Sequence, residues 1–478
     1  LTGDKKGCGQ DGCGACTVIL SEWDAQQQSA RHRSINSCLR PVCSLNGLSV
    51  TTIEGTGGAK RLPPERSIQA LTVSRAGALF GAGATPELKQ THAKAHTHRR
   101  NAAQEAEQRA DTGNVDVTDT VVIDPAVNPV AYRLAVNNGS QCGYCSTGFV
   151  MNMSAFLANN PEPTKKQIEQ AFDGNICRCT GYRPILTAMK TFAVDWSAED
   201  EANRMSINLD DQLKAQNVGD SVTIPFDQQA VSPPQPVTVT GKAQRWLMPA
   251  TIAELTDIYA RFNAEDIYLL HANTAYGVYR DDFLTKKILV DIRLIEGLAG
   301  IKQNDTTLTV GAGTTYTELL DYLESLAPAA GTPLHAILYM VHRTAGTVVR
   351  NAATIAGNTL LVLKHIAKGT GEPFPSDLFT ALAALDVTIH FTNLTTSAAE
   401  AMTASELLTA CQANPSLADT ILLTHYDIPT VADGAIVRAQ KVALRDINAH
   451  SIVNTTTILS VGADLVVTHA NLTFGGII

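Results

Sequence analysis

The stretch KKGCGQDGCGAC, residues 5–16, decides the first domain of this chain. It spaces Cys8, Cys13 and Cys16 as C-x4-C-x2-C, and Cys38 follows after 21 intervening residues. Four thiolates in this pattern are typical of a plant-type 2Fe–2S cluster, which needs two sulfur ligands on each iron. The intervening glycines let the backbone wrap tightly and aim N–H groups at the sulfurs. The pattern therefore predicts an iron–sulfur ligand set.

Two alternatives to this ligand set stay open at the level of spacing. Zinc sites more often use pairs of C-x2-C knuckles, which a single C-x4-C-x2-C loop fits poorly. Cys43 competes with Cys38 for the fourth position, because NSCLRPVCSLNG at 36–47 contains both cysteines. Spacing alone does not choose between them.

A second group of four cysteines follows in two short motifs. QCGYC supplies Cys142 and Cys145, and NICRC supplies Cys177 and Cys179. A C-x2-C at one helix start that faces a C-x-C at another would hold a cluster between two helix ends, where the N-terminal dipoles stabilise negative charge. A redox-active dithiol is the alternative for the first pair, but it leaves the second pair unexplained.

Length, charge and cysteine placement bound the class of protein. A chain of 478 residues predicts about three domains of roughly 150 residues. The net charge of −9 argues against nucleic-acid binding, and no apolar run approaches the length of a membrane helix. Nine of the ten cysteines precede residue 180, which favours metal ligation in a reducing compartment over a disulfide scaffold. We interpret Cys411, the exception, as a buried small hydrophobe.

The pattern of the chain divides it into five segments. They are a β-rich unit at 1–57, an insertion or surface loop at 58–128, a helical unit at 129–195, a linker at 196–243 and an α/β region at 244–478. In the helical unit, Thr164 with Gln167 predicts a capping box. In the insertion, His92, His96 and His98 are interpreted as part of a solvated loop rather than a metal site.

The α/β region gives local predictions but no nucleotide fingerprint. In the β-rich unit, strands are predicted at 16–20 and 48–53. In the α/β region, strands are predicted at 267–270, 288–292, 308–310 and 387–391, and helices at 251–262 and 317–326. No G-x-G-x-x-G follows an opening strand, so a Rossmann site has no support. The glycine pair of VGAGTTY, at 310–316, is interpreted as a turn.

Taken together, these motifs resemble the xanthine dehydrogenase and aldehyde oxidase family of molybdenum hydroxylases. The matching stretches are 5–20, 35–55, 139–153, 161–185 and 472–478. The resemblance implies an α+β multidomain chain with three parts. These are a β-grasp 2Fe–2S ferredoxin-like domain entered after its first strands, a four-helix-bundle-like 2Fe–2S domain, and an α/β FAD domain of the vanillyl-alcohol-oxidase (PCMH) type.

The resemblance also implies site residues. It selects Cys38 over Cys43 as the fourth ligand of the first cluster, and it places Gln141 and Cys179 beside the pterin of a molybdenum cofactor. It points to the small-residue turns at 269–277 and 352–359 as FAD sites, where backbone N–H groups approach a pyrophosphate; Gly/Asn turns of a purely structural domain are the alternative. The implied FAD contacts are Asn273, Thr274, Thr354, Gly357, Asn358, Asp377 and Lys441.

The function implied is an electron relay from a molybdenum–pterin site through two 2Fe–2S clusters to FAD, and then to NAD or oxygen. The molybdenum portion is expected beyond Ile478 or in a partner subunit, and the complete enzyme is expected to be a cytoplasmic homodimer, with a peroxisomal or periplasmic location left open. Xanthine dehydrogenase is the favoured relative. The alternatives are an aldehyde oxidase or other azaheterocycle hydroxylase, or a non-catalytic iron–sulfur carrier. The polar span 438–454 is a candidate to face a nicotinamide.

Overall fold

The computed structural model describes residues 3–24, 27–56, 127–206, 222–229, 231, 233–367, 369, 374–432, 434–464 and 466–476. The insertion predicted at 58–128 lies outside the described residues apart from its last two, and so do His92, His96 and His98.

The β-rich unit forms a three-stranded antiparallel sheet in the order β2–β1–β3. Its strands are β1 (Thr17–Asp24), β2 (Ser29–Asn36) and β3 (Ser49–Thr51). Both faces of β1 are buried, because Ile19 packs into the helical unit while Val18 and Leu20 pack with Ala272 and Ala352 of the α/β region. The apolar run after Cys16 is therefore continuous rather than alternating.

Four helices build the helical unit: α1 (Pro129–Val136), α2 (Ser146–Asn159), α3 (Lys165–Ala171) and α4 (Arg183–Lys190). Helix α2 is buried on nearly every side, because its apolar residues share one core with the other three helices and with the first sheet. The capping box of Thr164 with Gln167 is confirmed at the start of α3. Within the predicted linker, α5 (Ala198–Ser206) is helical and Ile224 packs into the same core.

The α/β region begins with a four-stranded sheet in the order β4–β5–β7–β6. Its elements are β4 (Thr238–Thr240), β5 (Arg245–Leu247), α6 (Ile252–Arg261), β6 (Ile267–Leu270), α7 (Arg280–Leu284) and β7 (Ile288–Asp291). The helix predicted at 251–262 is confirmed, and Thr251 caps it by accepting a hydrogen bond from the Glu254 N–H. The three strands β5, β7 and β6 are parallel, so their carboxyl ends meet at one edge.

A five-stranded antiparallel sheet follows, in the order β11–β10–β12–β9–β8, and six α-helices lie between β9 and β12 in the sequence of the described residues. The strands are β8 (Ile301–Gln303), β9 (Thr307–Gly311), β10 (Thr388–Asn393), β11 (Ala399–Thr403) and β12 (Ile421–Pro429). The helices are α8 (Tyr316–Leu326), α9 (Pro333–His342), α10 (Thr347–Arg350), α11 (Ile355–Ala367), α12 (Asp377–Ala384) and α13 (Ala404–Ala413). Cys411 is fully buried in the core they share, as its interpretation as a hydrophobe predicts.

The last described residues form a three-stranded antiparallel sheet in the order β13–β14–β15. Its strands are β13 (Ile436–Ala443), β14 (Ser451–Val461) and β15 (Val467–Gly475). Among the described residues, no helix combines the length and apolar character needed to cross a membrane.

Candidate functional site

The loop at 5–16 folds so that backbone N–H groups point at its cysteine sulfurs. The N–H groups of Gln10 and Gly12 lie 3.3 and 3.4 Å from Cys8 Sγ, and the Cys8 N–H lies 3.4 Å from Cys13 Sγ. Gly9 and Gly14 flank this turn with φ of 66° and 64°, a conformation that favours glycine. This is the backbone arrangement that stabilises negative thiolates.

Cys38, and not Cys43, completes the first group. A side-chain hydrogen bond joins Cys16 to Cys38; it raises the pKa of the Cys16 thiol and lowers the pKa of Cys38 to about 6. Cys43 instead packs against the apolar cluster that contains Trp246 and Leu289. The structure therefore separates two cysteines that the sequence leaves as equal competitors.

The second group of cysteines is brought together in the same way. Cys179 Sγ lies 3.6 Å from Cys142 Sγ. Burial, together with a hydrogen bond to Cys177, raises the pKa of Cys145 to about 12. The Thr180 N–H donates to Cys177 Sγ at 3.4 Å.

Two helix starts flank this second group. Cys145 is the N-cap of α2, and Tyr182, three residues after Cys179, is the N-cap of α4. The prediction that these four cysteines sit between two helix starts is thus confirmed in geometry. Since Cys145 is itself the N-cap of α2, the positive end of that helix dipole lies at a site that would carry negative charge.

The two cysteine groups are joined directly through backbone. The Ile176 N–H donates to the Cys13 carbonyl at 3.0 Å, and the Asn175 amide donates to the Gly14 carbonyl at 3.3 Å. A Cβ on Gly148 of α2 would lie 2.1 Å from the Gly14 carbonyl oxygen, so only glycine allows this approach. The residue before Cys177 is therefore hydrogen-bonded directly to Cys13.

A cavity of about 510 Å³ lies in the α/β region. Six of the seven residues that the resemblance suggests for FAD line it: Asn273, Thr274, Thr354, Gly357, Asn358 and Asp377. The seventh residue, Lys441, lies beside Asp377, and its Nζ is 2.7 Å from Asp377 Oδ2. Ser451 and Asn454 donate to the other oxygen of this buried carboxylate. The structure thus brings the turns at 273–277 and 354–358 together with Asp377, which lies 104 residues after Asn273 in the sequence.

The turn at 273–277 ties the cavity to the first cysteine group. Asn273 adopts a left-handed φ of 62°, and its amide donates to the Leu39 carbonyl, beside Cys38, at 3.2 Å. A Cβ on Gly277 would lie 2.7 to 2.8 Å from backbone atoms of Gln10, so glycine is required there as well. The same turn therefore faces the cavity and supports the cysteine loop.

Sequence reasoning missed part of the cavity wall. Gln10, Asp11 and Gly12, between Cys8 and Cys13, line it. No local signal predicts this contact, because it depends on how two distant segments pack. Ala312, Gly313 and Tyr316 also line the cavity, from a stretch that was interpreted only as a turn. Asn448, Ala449 and His450 line it as well, and they belong to the span 438–454 that was a candidate to face a nicotinamide.

The polar chemistry of the cavity fits a ligand with many hydrogen-bonding groups. In the described part of the chain, His271 Nδ1, Asn273 Oδ1 and the Tyr316 hydroxyl are buried without a hydrogen-bond partner, and all three residues line the cavity. Each such atom costs about 1–3 kcal/mol unless a ligand satisfies it. Burial, followed by the charges of Arg40 and Arg293, lowers the pKa of His271 to about 3, so its ring is neutral.

Gln141 lies on an exposed surface. Cys142, the next residue, is exposed as well, and so is Cys179, whose Sγ lies 3.6 Å from Cys142 Sγ. Close to these cysteines in sequence, the side chains of Tyr144 and Tyr182 are 46% and 37% exposed. This surface, defined by the five residues, is called the outer face of the second cysteine group below.

Known proteins resemble the chain over much of its length. It is 26% identical to aldehyde oxidase 1 of Bos taurus over the whole chain and 32% of that protein. It is 29% identical to xanthine dehydrogenase/oxidase of Mus musculus over 75% of the chain and 24% of that protein. The chain thus spans about a third or less of these relatives. A solved CO dehydrogenase from Oligotropha carboxidovorans aligns with 50% of this chain and 76% of that chain, at 20% identity and a TM-score of 0.38, a likeness too weak to carry an argument.

Two family descriptions match where the sites lie. A 2Fe-2S binding domain matches residues 119–190, which contain the second cysteine group. An FAD binding domain in molybdopterin dehydrogenase matches residues 241–431, which contain the six residues that line the cavity. These matches give the chain 2Fe–2S and FAD as cofactors. Together with the relatives, they support a resemblance to the iron–sulfur and FAD portion of the molybdenum hydroxylases, the family of aldehyde oxidases and xanthine dehydrogenases.

Proposed function

We propose that this chain relays electrons from a molybdenum–pterin site, through two 2Fe–2S clusters, to FAD and then to NAD or oxygen, as part of an enzyme that resembles xanthine dehydrogenase. Bound clusters supply one-electron chemistry, and bound FAD exchanges electrons singly or in pairs. The observation that carries the proposal is the continuity of the three sites. Gln10 to Gly12 line the cavity from within the first cysteine loop, and the Ile176 N–H meets the Cys13 carbonyl.

The cluster ligands follow from the sulfur contacts. We assign the first cluster to Cys8, Cys13, Cys16 and Cys38 and the second to Cys142, Cys145, Cys177 and Cys179. Backbone N–H groups of the first loop, and the N–H and hydroxyl of Thr180 in the second, donate to these sulfurs. Such hydrogen bonds stabilise thiolates and raise the potential of a cluster that they hold.

The cavity residues are assigned to FAD by position. The turns at 273–277 and 354–358 both line the cavity, and their small residues let a pyrophosphate approach the backbone closely. Asp377 offers a buried carboxylate that Lys441 neutralises and fixes, since Lys441 also donates to two backbone carbonyls. The chain's own contribution is to bind and orient the cofactor and to exclude water.

The outer face of the second cysteine group suits a docking partner. Exposed aromatic rings and exposed cysteine ligands are disfavoured on a free surface, and aromatic residues are enriched at interfaces. We assign this face, with Gln141 at its centre, to a molybdenum-cofactor domain or subunit. In this proposal the complete enzyme is a cytoplasmic homodimer.

The test is anaerobic reduction of the complete enzyme. Xanthine should bleach both cluster and flavin absorbance, and NADH should reduce the flavin. Bleaching by an aldehyde but not by xanthine would select the second candidate, an aldehyde oxidase, which the similarity to bovine aldehyde oxidase 1 favours. A purified protein with clusters but without flavin absorbance would contradict the proposed relay and would favour a simple iron–sulfur carrier. A colourless protein containing zinc would sink both.

A further inference from the structure

The solvent-facing side of the five-stranded sheet carries a group of three side chains that the relay does not use. His390 comes from β10, and His425 and Asp427 come from β12. One potential ligand atom from each lies within 4.8 Å of the other two. The site is half-buried, since the side chains of His390 and Asp427 are 29% and 34% exposed.

The sheet creates this group by a local irregularity. His425 and Asp427 alternate along β12, so they share one face, whereas Tyr426 between them is buried in the core. The register shifts after His390, so that His390 lies opposite His425 while Phe391 lies opposite Leu423. The skipped residue is Thr424, and the two imidazole rings stack at 4.0 Å between centroids. A bulge is a common device for aiming side chains at a site.

Neighbouring hydroxyl groups contact two of the three side chains, those of Asp427 and His425. The Thr309 hydroxyl donates to Asp427 Oδ1 at 2.6 Å. The Thr424 hydroxyl lies 3.1 Å from His425 Nδ1, which engages one ring nitrogen and leaves the other for a ligand. Hydrogen bonds that orient the outer atoms of histidine and carboxylate ligands are characteristic of metal sites.

We propose that His390, His425 and Asp427 form a binding site for a divalent transition-metal ion of the Zn²⁺ class, with water completing the coordination. Two imidazoles and one carboxylate are the ligand types that such ions accept. A simple ion pair explains less. The 2.9 Å contact of His390 Nε2 with Asp427 Oδ2 would account for two of the three groups, but not for His425 stacked against His390.

The ion would join two strands behind the cavity wall. The Thr424 carbonyl accepts a hydrogen bond from Ala312 N–H at 2.9 Å, and Ala312 and Leu423 line the cavity on the other side. Binding at this site would therefore clamp β10 to β12 and stiffen the strand that supports the cavity. The site is separate from the cysteine groups and does not depend on the proposed relay.

The test is zinc binding by the complete, cluster-loaded enzyme in metal-free buffer. Equilibrium dialysis against Zn²⁺ should show one bound equivalent in addition to the iron and molybdenum. His425→Gln and Asp427→Asn should each lose this equivalent or bind it at least about tenfold more weakly. His469→Gln is the matched control, because His469 is exposed on β15 of another sheet and should leave zinc binding unchanged.

Two results would overturn the proposal: no bound equivalent in the unmodified enzyme, or equal zinc binding in both variants and the control. Flavin absorbance and circular dichroism check that each variant is folded. Co²⁺ substitution supplies an independent readout, since nitrogen and oxygen ligands give d–d bands alone. An intense sulfur-to-cobalt charge-transfer band for this equivalent would instead assign it to cysteines and reject the site.

Discussion

The two cysteine groups use similar chemistry but have different surroundings. In the first, the sulfur contacts come from backbone N–H groups of a glycine-rich loop, and the residues between Cys8 and Cys13 line the cavity. In the second, a threonine and two helix starts surround the sulfurs, and Cys142 and Cys179 are exposed. The first group thus adjoins the cavity and exposes only Cys8, whereas the second exposes two of its four cysteines.

This difference indicates that the packing of the loops would set the direction of electron transfer. A chain that only needed to store electrons could bury both groups equally. Here the hydrogen bond from the Ile176 N–H to the Cys13 carbonyl joins the group beside the cavity to the group that exposes Cys142 and Cys179. A relay between a molybdenum site and FAD requires such an asymmetry. Each prediction below tests a ligand set or a contact between two of its parts.

The largest expected effect comes from removing ligands at either end. Cys8→Ser and Cys179→Ser should each lower bound iron from about four to about two per chain, because each 2Fe–2S cluster needs four thiolates. Cys142→Ser or Cys179→Ser should abolish transfer from molybdenum to flavin. The measurements are iron analysis, electron paramagnetic resonance of the reduced protein, and turnover with a natural acceptor.

Cys43→Ser is the control for these variants, since Cys43 packs in an apolar cluster away from the other sulfurs. Full turnover in Cys142→Ser or Cys179→Ser, or loss of iron in the control, would contradict the assignment of the ligands.

The next effect concerns the joint between the second cysteine group and the α/β region. Arg350 Nη2 lies 2.5 Å from Asp173 Oδ2, and both side chains are buried, at 5% and 7% exposure. Arg350 also donates to the carbonyls of His342, Thr344 and Ala345. Arg350→Met should lower the free energy of unfolding by roughly 3 kcal/mol, because it leaves a buried carboxylate unpaired.

Urea denaturation measures this change, and Lys287→Met is the matched control. Lys287 pairs with Asp266 but is 68% exposed, so its loss should have little effect. Equal destabilisation by the two substitutions would show that the buried pair has no special role in holding the regions together.

The third prediction loosens the joint between the first cysteine group and the cavity. Asn273→Ala should weaken FAD binding by about tenfold or more, because it removes the amide and strains the left-handed backbone. Asn273→Gly relieves the strain but still lacks the amide, so it separates the two causes. Fluorescence titration of the flavin-free protein with FAD measures both. Unaltered affinity in both variants would remove Asn273 from the FAD site.

Local signals made much of the fold predictable. The helix after Thr251 and the strand at 267–270 follow from a cap and a β-branched or apolar run, which depend only on neighbouring residues. The cysteine groups were predictable because ligand spacing is set by the geometry of the cluster. The choice of Cys38 over Cys43 needed the resemblance, since both fit the spacing.

Contacts that depend on docking or register were not predictable. The approach of Gln10 to the cavity depends on packing between segments about 260 residues apart in sequence, for which no pattern exists. His390 meets His425 only because of a bulge, and a bulge shifts partners without leaving a sequence period. In the stretch at 310–316, which was interpreted as a turn, residues 312 and 313 turn between the end of β9 and the start of α8. Its position on the cavity wall depends on the sheet order.

The smallest expected effect is electrostatic, at the contact between the first sheet and α8. Arg31 Nη1 lies 2.7 Å from Glu318 Oε1, and Arg33 lies nearby. Burial raises the pKa of Glu318, but Arg33, the capping hydrogen bonds of Thr315 and Arg31 outweigh burial, so the pKa falls below its usual 4.5. A carboxylate with a lowered pKa stabilises the folded state above the unfolded pKa, and this contribution is lost as pH falls through the folded pKa.

Glu318→Gln should therefore cost about 1 kcal/mol of unfolding free energy at neutral pH, and the difference should shrink on acidification below the usual pKa of 4.5. Glu406→Gln is the matched control, because Glu406 forms the same capping box with Thr403 and is held only by that cap. The excess cost of Glu318→Gln over this control isolates the two arginines. A cost that is equal in both variants, or that grows on acidification, would show that the arginines of β2 do not hold the first sheet against the α/β region.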